Sequence, residues 1–324
     1  MQVFGNTIRF NVQATTRGWT YEQYRDNWFK FESLGFDVAY SVDHFVPENP
    51  AMLGQPVWEG PTIISAMAAM TSRMRIGLMV AGNTYRNPGI LAKIACTIDH
   101  ISNGRMELGM GSGHTETEHR MYDIPYYTRG KRLRMFAESA QIIRSLVRNE
   151  TTTFDGEYYH FKDARCEPKP LQQPFPLLVG GIGEQLSMRI VAESADIWNN
   201  WTSPSPEEYA PKLGALRNHC ADVGRDVNDI RKSIHIKPVI GETDTAIAEQ
   251  IRNGDGRHRS QGTPDQMVET LLQYCALGVG DFVFMFDYPG DYRTLELLAT
   301  EVAPRVRAEG PALLAASMGA AASA

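Results

Sequence analysis

The chain lacks the short motifs that announce several common chemistries. Its 324 residues hold only four cysteines, Cys96, Cys166, Cys220 and Cys275, far apart and without a C-x-x-C pair, so the sequence spells out neither a zinc knuckle nor a redox dithiol. A reducing cytoplasm is the compartment expected for such cysteine usage. Eight histidines are present, yet H-x-H and H-E-x-x-H are missing, so no metal is expected. Absence of G-x-S-x-G and G-x-x-x-x-G-K-[ST] argues against a serine hydrolase and a Walker nucleotide site. Basic charge is also in short supply: 32 Lys and Arg against 38 Asp and Glu leave a net charge of −6. Neither nucleic acid nor an anionic membrane would be attracted to that balance, and both are excluded as partners. No run approaches the roughly 18 apolar residues of a membrane span. The opening MQVFGNTIRFNVQ has no basic segment followed by an apolar core, so a cytoplasmic protein is expected.

What is present is a repeated alternation of β-rich runs and helical patterns. Strands are predicted at Thr7–Gln13, Asp37–Val42, Arg75–Ala81, Met106–Gly111, Leu177–Gly180, Asp196–Asn199, Ser233–Ile240 and Asp281–Phe286. Helices are predicted at Thr20–Leu34, Gly60–Ser72, Pro88–Ile101, Gly130–Arg148, Glu184–Ser194, Pro206–Val223, Thr263–Leu277 and Tyr292–Arg307. Asn87-Pro88 and Thr263-Pro264 each supply a helix N-cap followed by an N1 proline, and Gly35 and Gly278 follow their helices as terminating glycines. Eight such units form the α/β architecture of a (β/α)8 TIM barrel. A doubly wound sheet would place G-x-G-x-x-G after its first strand, where this chain has Gln13-Ala14-Thr15-Thr16-Arg17-Gly18. The expected organisation is one barrel domain over residues 1–309, with a hairpin-like insertion at about 150–175 around Asp155-Gly156. The segment 242–262 reads as a mobile polar loop around a short helix, and the alanine-rich 310–324 as a flexible tail.

Ligands of such barrels sit at the carboxyl ends of the strands. Asp43-His44 ends the second predicted strand, where an imidazole that titrates near neutral pH suits proton transfer. The third strand leaves through Met79, Val80, Ala81, Gly82 and Asn83, a small-residue exit on which a flat ring can rest. Gly111, Ser112, Gly113 and His114, and then Gly180, Gly181, Ile182 and Gly183, are glycine-rich exits whose backbone N–H groups suit a phosphate. The run Arg129, Lys131, Arg132 and Arg134 reads as a solvated face or as a contact for an anionic tail. Trp58, Tyr85, Trp201 and His235 are candidates for the substrate-facing rim.

SVDHFVP, GNTYRNPGILAK, TIDHISNGRMELGMGSG, TFDGEYYHF, KPLQQPFPLLVGGIGEQ, VAESADIWN and GTPDQMVETLLQYCALGVGDFVFMF together resemble the luciferase-like flavin monooxygenase family. Within it, the chain looks most like the branch that uses the deazaflavin coenzyme F420. The resemblance implies a barrel with its flavin ring against a bulged third strand, at a non-proline cis peptide that falls at Met79–Val80. It implies His44 and Asp43 beside the reactive ring edge, and the cofactor phosphate at Gly111–His114 and Gly180–Gly183. It also implies a homodimer acting on a small-molecule substrate. A deazaflavin transfers hydride and reacts poorly with oxygen, whereas the alternative, reduced FMN supplied by a partner reductase, oxygenates. Where sugar-phosphate dehydrogenases of this branch place a Glu after the strand-4 Gly-x-Gly, this chain has His114, so their substrate and acid–base scheme do not carry over. The expected activity is thus hydride transfer between F420 and a small organic molecule.

Overall fold

The computed structural model describes residues 7–202, 204–252, 260–287 and 290–322. The first half runs β1 (Arg9–Ala14), α1 (Tyr21–Ser33), β2 (Val38–Ser41), α2 (Gly60–Met70), β3 (Arg75–Gly82), α3 (Pro88–Ile101), β4 (Met106–Gly111), α4 (Glu116–Met121) and α5 (Arg129–Arg148). An antiparallel pair, β5 (Thr152–Asp155) and β6 (His160–Ala164), then precedes β7 (Leu177–Gly180), α6 (Leu186–Ser194), β8 (Ile197–Asn200), α7 (Pro206–Asp222) and β9 (Arg231–Ile236). The chain continues through β10 (Pro238–Ile240), α8 (Asp244–Arg252), β11 (Ser260–Gly262), α9 (Pro264–Ala276), β12 (Val279–Phe286) and α10 (Tyr292–Leu297). A π-helical turn at Leu298–Val302 leads into α11 (Ala303–Ala322).

Eight of these strands close a barrel in the order β1, β12, β9, β8, β7, β4, β3, β2, the predicted TIM-barrel fold. Every adjacent pair is parallel. Local chemistry starts the helices: Thr20 with Gln23, Ser205 with Glu208 and Thr263 with Gln266 form capping boxes, and Asn87 caps α3. No helix among the described residues is long and apolar enough to cross a membrane.

Side chains from one face of each strand fill the barrel. At the amino-terminal end they form an ionic floor. Arg9 donates from Nε to Asp281 at 2.7 Å and from Nη1 to Glu107 at 2.6 Å. Arg75 reaches Glu107 at 2.6 Å, Arg231 reaches Asp281 at 2.5 Å, and the Tyr40 hydroxyl donates to Glu107 at 2.5 Å. Burial alone would raise the Glu107 carboxyl; Arg9 and Arg75 outweigh it and hold the group down at about 2. Above this floor lie Val38, Tyr40, Met79, Leu178, Ile197 and Val283, an apolar plug. The barrel is therefore filled at its amino-terminal end.

Three expectations change. The predicted strand Ser233–Ile240 is two elements: β9 ends at Ile236, and β10 leaves the barrel to pair with β11. The segment 310–322, expected as a flexible tail, is helical as part of α11, with Gly310 and Leu314 buried. A Cβ on Gly310 would sit 3.0 Å from the Cys275 sulfur of α9, so close approach of small residues replaces the apolar stripe that sequence reading looks for. The loop expected over 242–262 around a short helix has that helix as α8 but adds a strand, β11, and its residues 253–259 lie outside the described residues.

Candidate active site

The floor of the mouth is built by β3, β4 and β7. The Met79–Val80 peptide is cis, and the register between β3 and β4 shifts between Leu78 and Ala81, a bulge where the ring-bearing strand was expected. Gln13 Nε2 donates to Met79 O at 2.6 Å, tying the bulge to β1. Val80 is half-buried, and its side chain lies over two glycines: a Cβ on Gly111 would fall 2.7 Å from it and one on Gly180 3.2 Å. Ala81 is buried beside Met110. Asn83 is buried too, its N–H donating to Gly111 O at 2.9 Å, and its Nδ2 has no acceptor among the described residues. Val80, the two glycines beneath it and the unpartnered Asn83 donor behind it are the groups this strand end offers a planar heterocycle.

The glycine-rich exit Gly180–Gly183 leads into α6. Trp198 Nε1 donates to Gly181 O at 2.8 Å, fixing the loop, and α6 has no side-chain cap on its first N–H groups. Ile182 is half-buried. A Cβ on Gly181 would come within 3.0 Å of Ser187, and one on Gly183 within 3.6 Å of the Arg129 guanidinium. These features fit an anion at a helix start. In the β4 exit, Ser112 is half-buried, and Gly113 adopts φ +73° against Thr84, a conformation that favours glycine.

His44 follows β2 and has a chain of partners. Its Nδ1 lies 2.9 Å from Glu118 Oε2, and its Nε2 lies 3.8 Å from Glu48 Oε1. Glu48 in turn takes His114 Nε2 at 2.9 Å. Glu118 is fully buried and also accepts from Phe45 N at 2.5 Å, Val46 N at 3.2 Å and the Tyr85 hydroxyl at 2.5 Å. Burial opposes charge on His44, but the Glu118 hydrogen bond and the Glu48 charge win and raise its pKa. Conversely, burial would raise Glu118, yet His44 and then Tyr85 hold it below the usual carboxylate range. Glu48 is held down at about 2, first by its hydrogen bond to His114. The arrangement is an imidazole whose charged form is favoured and which one buried carboxylate orients, with a second carboxylate leading outward to the exposed His114.

Asp43 faces elsewhere. Its carboxylate takes Arg86 at 2.6 and 3.0 Å and the Gly82 N–H at 3.2 Å, while Arg86 also pairs with Glu59. Both residues lie past the end of β2 at Ser41, and their partners differ: Asp43 braces the β3 exit, whereas His44 joins Glu118 and Glu48. Of the rim candidates, Tyr85 joins the Glu118 cluster. Trp58 instead donates to Trp19 O at 3.0 Å and packs edge-on to Tyr21. His235 and the exposed Trp201 meet each other at the ends of β9 and β8, His235 Nδ1 lying 3.4 Å from Trp201 O. Burial lowers the His235 pKa to about 4, so that imidazole is neutral. Arg132 is taken up by Gly113 O at 2.8 Å and by Tyr127 O, Lys131 lies over Tyr127, and Arg134 donates to the Tyr158 hydroxyl at 2.9 Å. Arg129 alone of the basic run adjoins the Gly183 loop.

Sequence reading missed Glu118 and Glu48. Glu118 sits on α4, a six-residue helix too short to leave a period, and Glu48 lies in a loop. Among the described residues no cluster of His, Cys, Asp and Glu is set to hold a metal.

Fold and site thus define a TIM-barrel protein with a bulged third strand, two glycine-rich strand exits and an ion-paired histidine following its second strand. The sequence profile of luciferase-like monooxygenases matches residues 8–274, and the chain belongs to that family. A protein of Mycobacterium tuberculosis (strain H37Rv) is 33% identical over 197 residues, 61% of this chain and 67% of that one. An F420-dependent glucose-6-phosphate dehydrogenase of Microbacterium testaceum is 25% identical, covering 93% of this chain and 98% of its own length. A solved F420-dependent secondary alcohol dehydrogenase, in complex with an F420-acetone adduct, superposes with a TM-score of 0.80 at 16% identity, covering 93% of this chain and 99% of that one.

Proposed function

We propose that this protein is an F420-dependent oxidoreductase that transfers a hydride between the deazaflavin and a small organic substrate, with His44 as its proton-transfer group. The strand end at which Val80 lies over Gly111 and Gly180 carries the reading, because it provides a side-chain-poor surface beside an ion-paired imidazole. When bound, F420 supplies a ring carbon that accepts or donates hydride. Met79, Val80, Ala81 and Asn83 hold the ring face, while Gly180–Gly183 and Gly111–Gly113 offer N–H groups to its phosphodiester. His44 holds or gives up the proton that accompanies hydride movement at a substrate oxygen or carbon, and Glu118 orients it. A second copy covering the exposed Met70 of α2 and the exposed Ile90 and Ile101 of α3 completes the assembly as a homodimer in the cytoplasm.

Equilibrium binding of the purified protein to F420 and to FMN tests the cofactor. Binding of FMN without F420 would replace the proposal with a monooxygenase fed by a separate reductase. His44→Ala should leave F420 affinity nearly intact and lower hydride transfer by about 100-fold or more on a substrate found by screening alcohols, enones and imines. Full activity in that variant removes His44 from the reaction.

A further inference from the structure

Cys96 and Cys166 are 70 positions apart, yet their sulfurs lie 3.7 Å from one another in the core. Both are buried and both are free thiols. Cys96 is on α3, and Cys166 is in the connection from β6 to β7. They occupy the middle of a seam along one face of α3. A Cβ on Gly89 would fall 2.7 Å from the Phe161 ring, Lys93 Nζ donates to Glu167 O, and His100 Nε2 lies 2.8 Å from Lys169 O. Positions 89, 93, 96 and 100 follow helical spacing, so the 161–169 segment lies along a single stripe of the helix. Asp99 extends the seam by accepting from Leu171 N at 2.7 Å and from Gln172 Nε2 at 2.6 Å. Packing and polar contacts hold the rest of the seam, and only its centre carries a pair of groups that two-electron oxidation can join covalently.

We propose that Cys96 and Cys166 form a reversible intrachain disulfide when the protein meets a peroxide, a staple that locks the β6–β7 connection to α3. A disulfide brings its sulfurs to about 2.05 Å, so closure needs an approach of roughly 1.7 Å. The Cys166 thiol is pushed down to about 7, first by its hydrogen bond with Cys96 and then, against burial, by Lys93 and Lys169. A Cys166 thiolate attacks the peroxide oxygen, the O–O bond breaks, and hydroxide leaves, giving a sulfenic acid. The Cys96 thiol then attacks that sulfur, the S–O bond breaks, and its proton leaves with the hydroxide as water. Peroxide is reduced by two electrons and the two thiols are oxidised by the same number. The staple would tie α3, which follows the Met79–Asn83 exit, to the segment that enters β7 at Leu177. It is independent of which cofactor the mouth takes.

The test treats the full-length protein with hydrogen peroxide, denatures it, alkylates the remaining thiols, and maps peptides by mass spectrometry. The expected result is loss of two alkylatable thiols out of four, a cross-linked peptide pair containing Cys96 and Cys166, unmodified Cys220 and Cys275, and reversal by dithiothreitol. Oxidation should also raise the melting temperature of the parent protein and leave that of Cys166→Ser and of Cys96→Ser unchanged. Four alkylatable thiols after peroxide, or sulfinic acid on Cys166 without the cross-link, would overturn the proposal. Peptide mapping of the parent protein decides the matter even where a serine variant folds poorly.

Discussion

Glu107 offers a substrate-independent measure of the barrel's ionic floor. In Glu107→Gln the fold keeps the shape of the side chain but loses the charge that receives Arg9, Arg75 and the Tyr40 hydroxyl. The carboxyl is held from its ordinary 4.5 down to about 2. At about 1.4 kcal/mol for each pH unit, that preference for the charged form amounts to roughly 3 kcal/mol, within the range for breaking a buried ion pair. A depressed carboxylate contributes stability that is fully present above about pH 4.5 and is lost as pH falls toward 2. The variant should therefore melt about 5–10 °C below the parent at pH 7, given about 2 °C or more per kcal/mol in a chain of this size. The gap should narrow progressively between about pH 5 and pH 3. Differential scanning calorimetry across that range is the assay. A variant that melts within about 1 °C of the parent at pH 7, or a gap that widens in acid, would refute the electrostatic account.

Two further outcomes follow from the mouth. Glu118→Gln removes the partner that most raises His44, so the His44 titration followed by NMR should move to lower pH; an unmoved titration would show that Glu118 does not set its charge. Because a raised histidine stabilises the fold only below its folded pKa, the variant's stability deficit should also shrink as the pH rises through that value. Arg129→Ala should weaken F420 binding by about 1 kcal/mol at most, and less at high salt, whereas Arg132→Ala should loosen the Gly113 loop regardless of salt. Equal, salt-sensitive losses in the two variants would put both cations on the ligand.

Much of the scaffold was legible because it rests on local chemistry. Helix α3 begins and ends where Asn87-Pro88 and the apolar period place it, and β4 and β7 match their predicted bounds because short apolar runs end in glycine. The β9 boundary was not legible, since the β-branched residues of Ser233–Ile240 continue on both sides of Lys237-Pro238, and only barrel closure decides that β10 pairs elsewhere. The carboxyl-terminal helix was hidden for a different reason: its contact with α9 uses Gly310 and scattered buried positions such as Leu314, which leave no stripe. In the site, the glycine exits and His44 announce themselves by position at strand ends. Glu118 does not, because its importance comes from the fold carrying α4 back beneath the β2 loop. Likewise, no spacing rule would pair Cys96 with Cys166.

The filled lower half of the barrel bears on kinetic order. Arg9, Glu107, Asp281 and Arg231 fill one end of the barrel, and Val38, Leu178 and Ile197 pack above them. If cofactor and substrate of the proposed reaction both enter over Val80 from the carboxyl ends of the strands, the one seated deepest arrives first and departs last. A compulsory sequence of binding and release is then imposed by the architecture, and dead-end inhibition patterns would display it without knowledge of the chemical step.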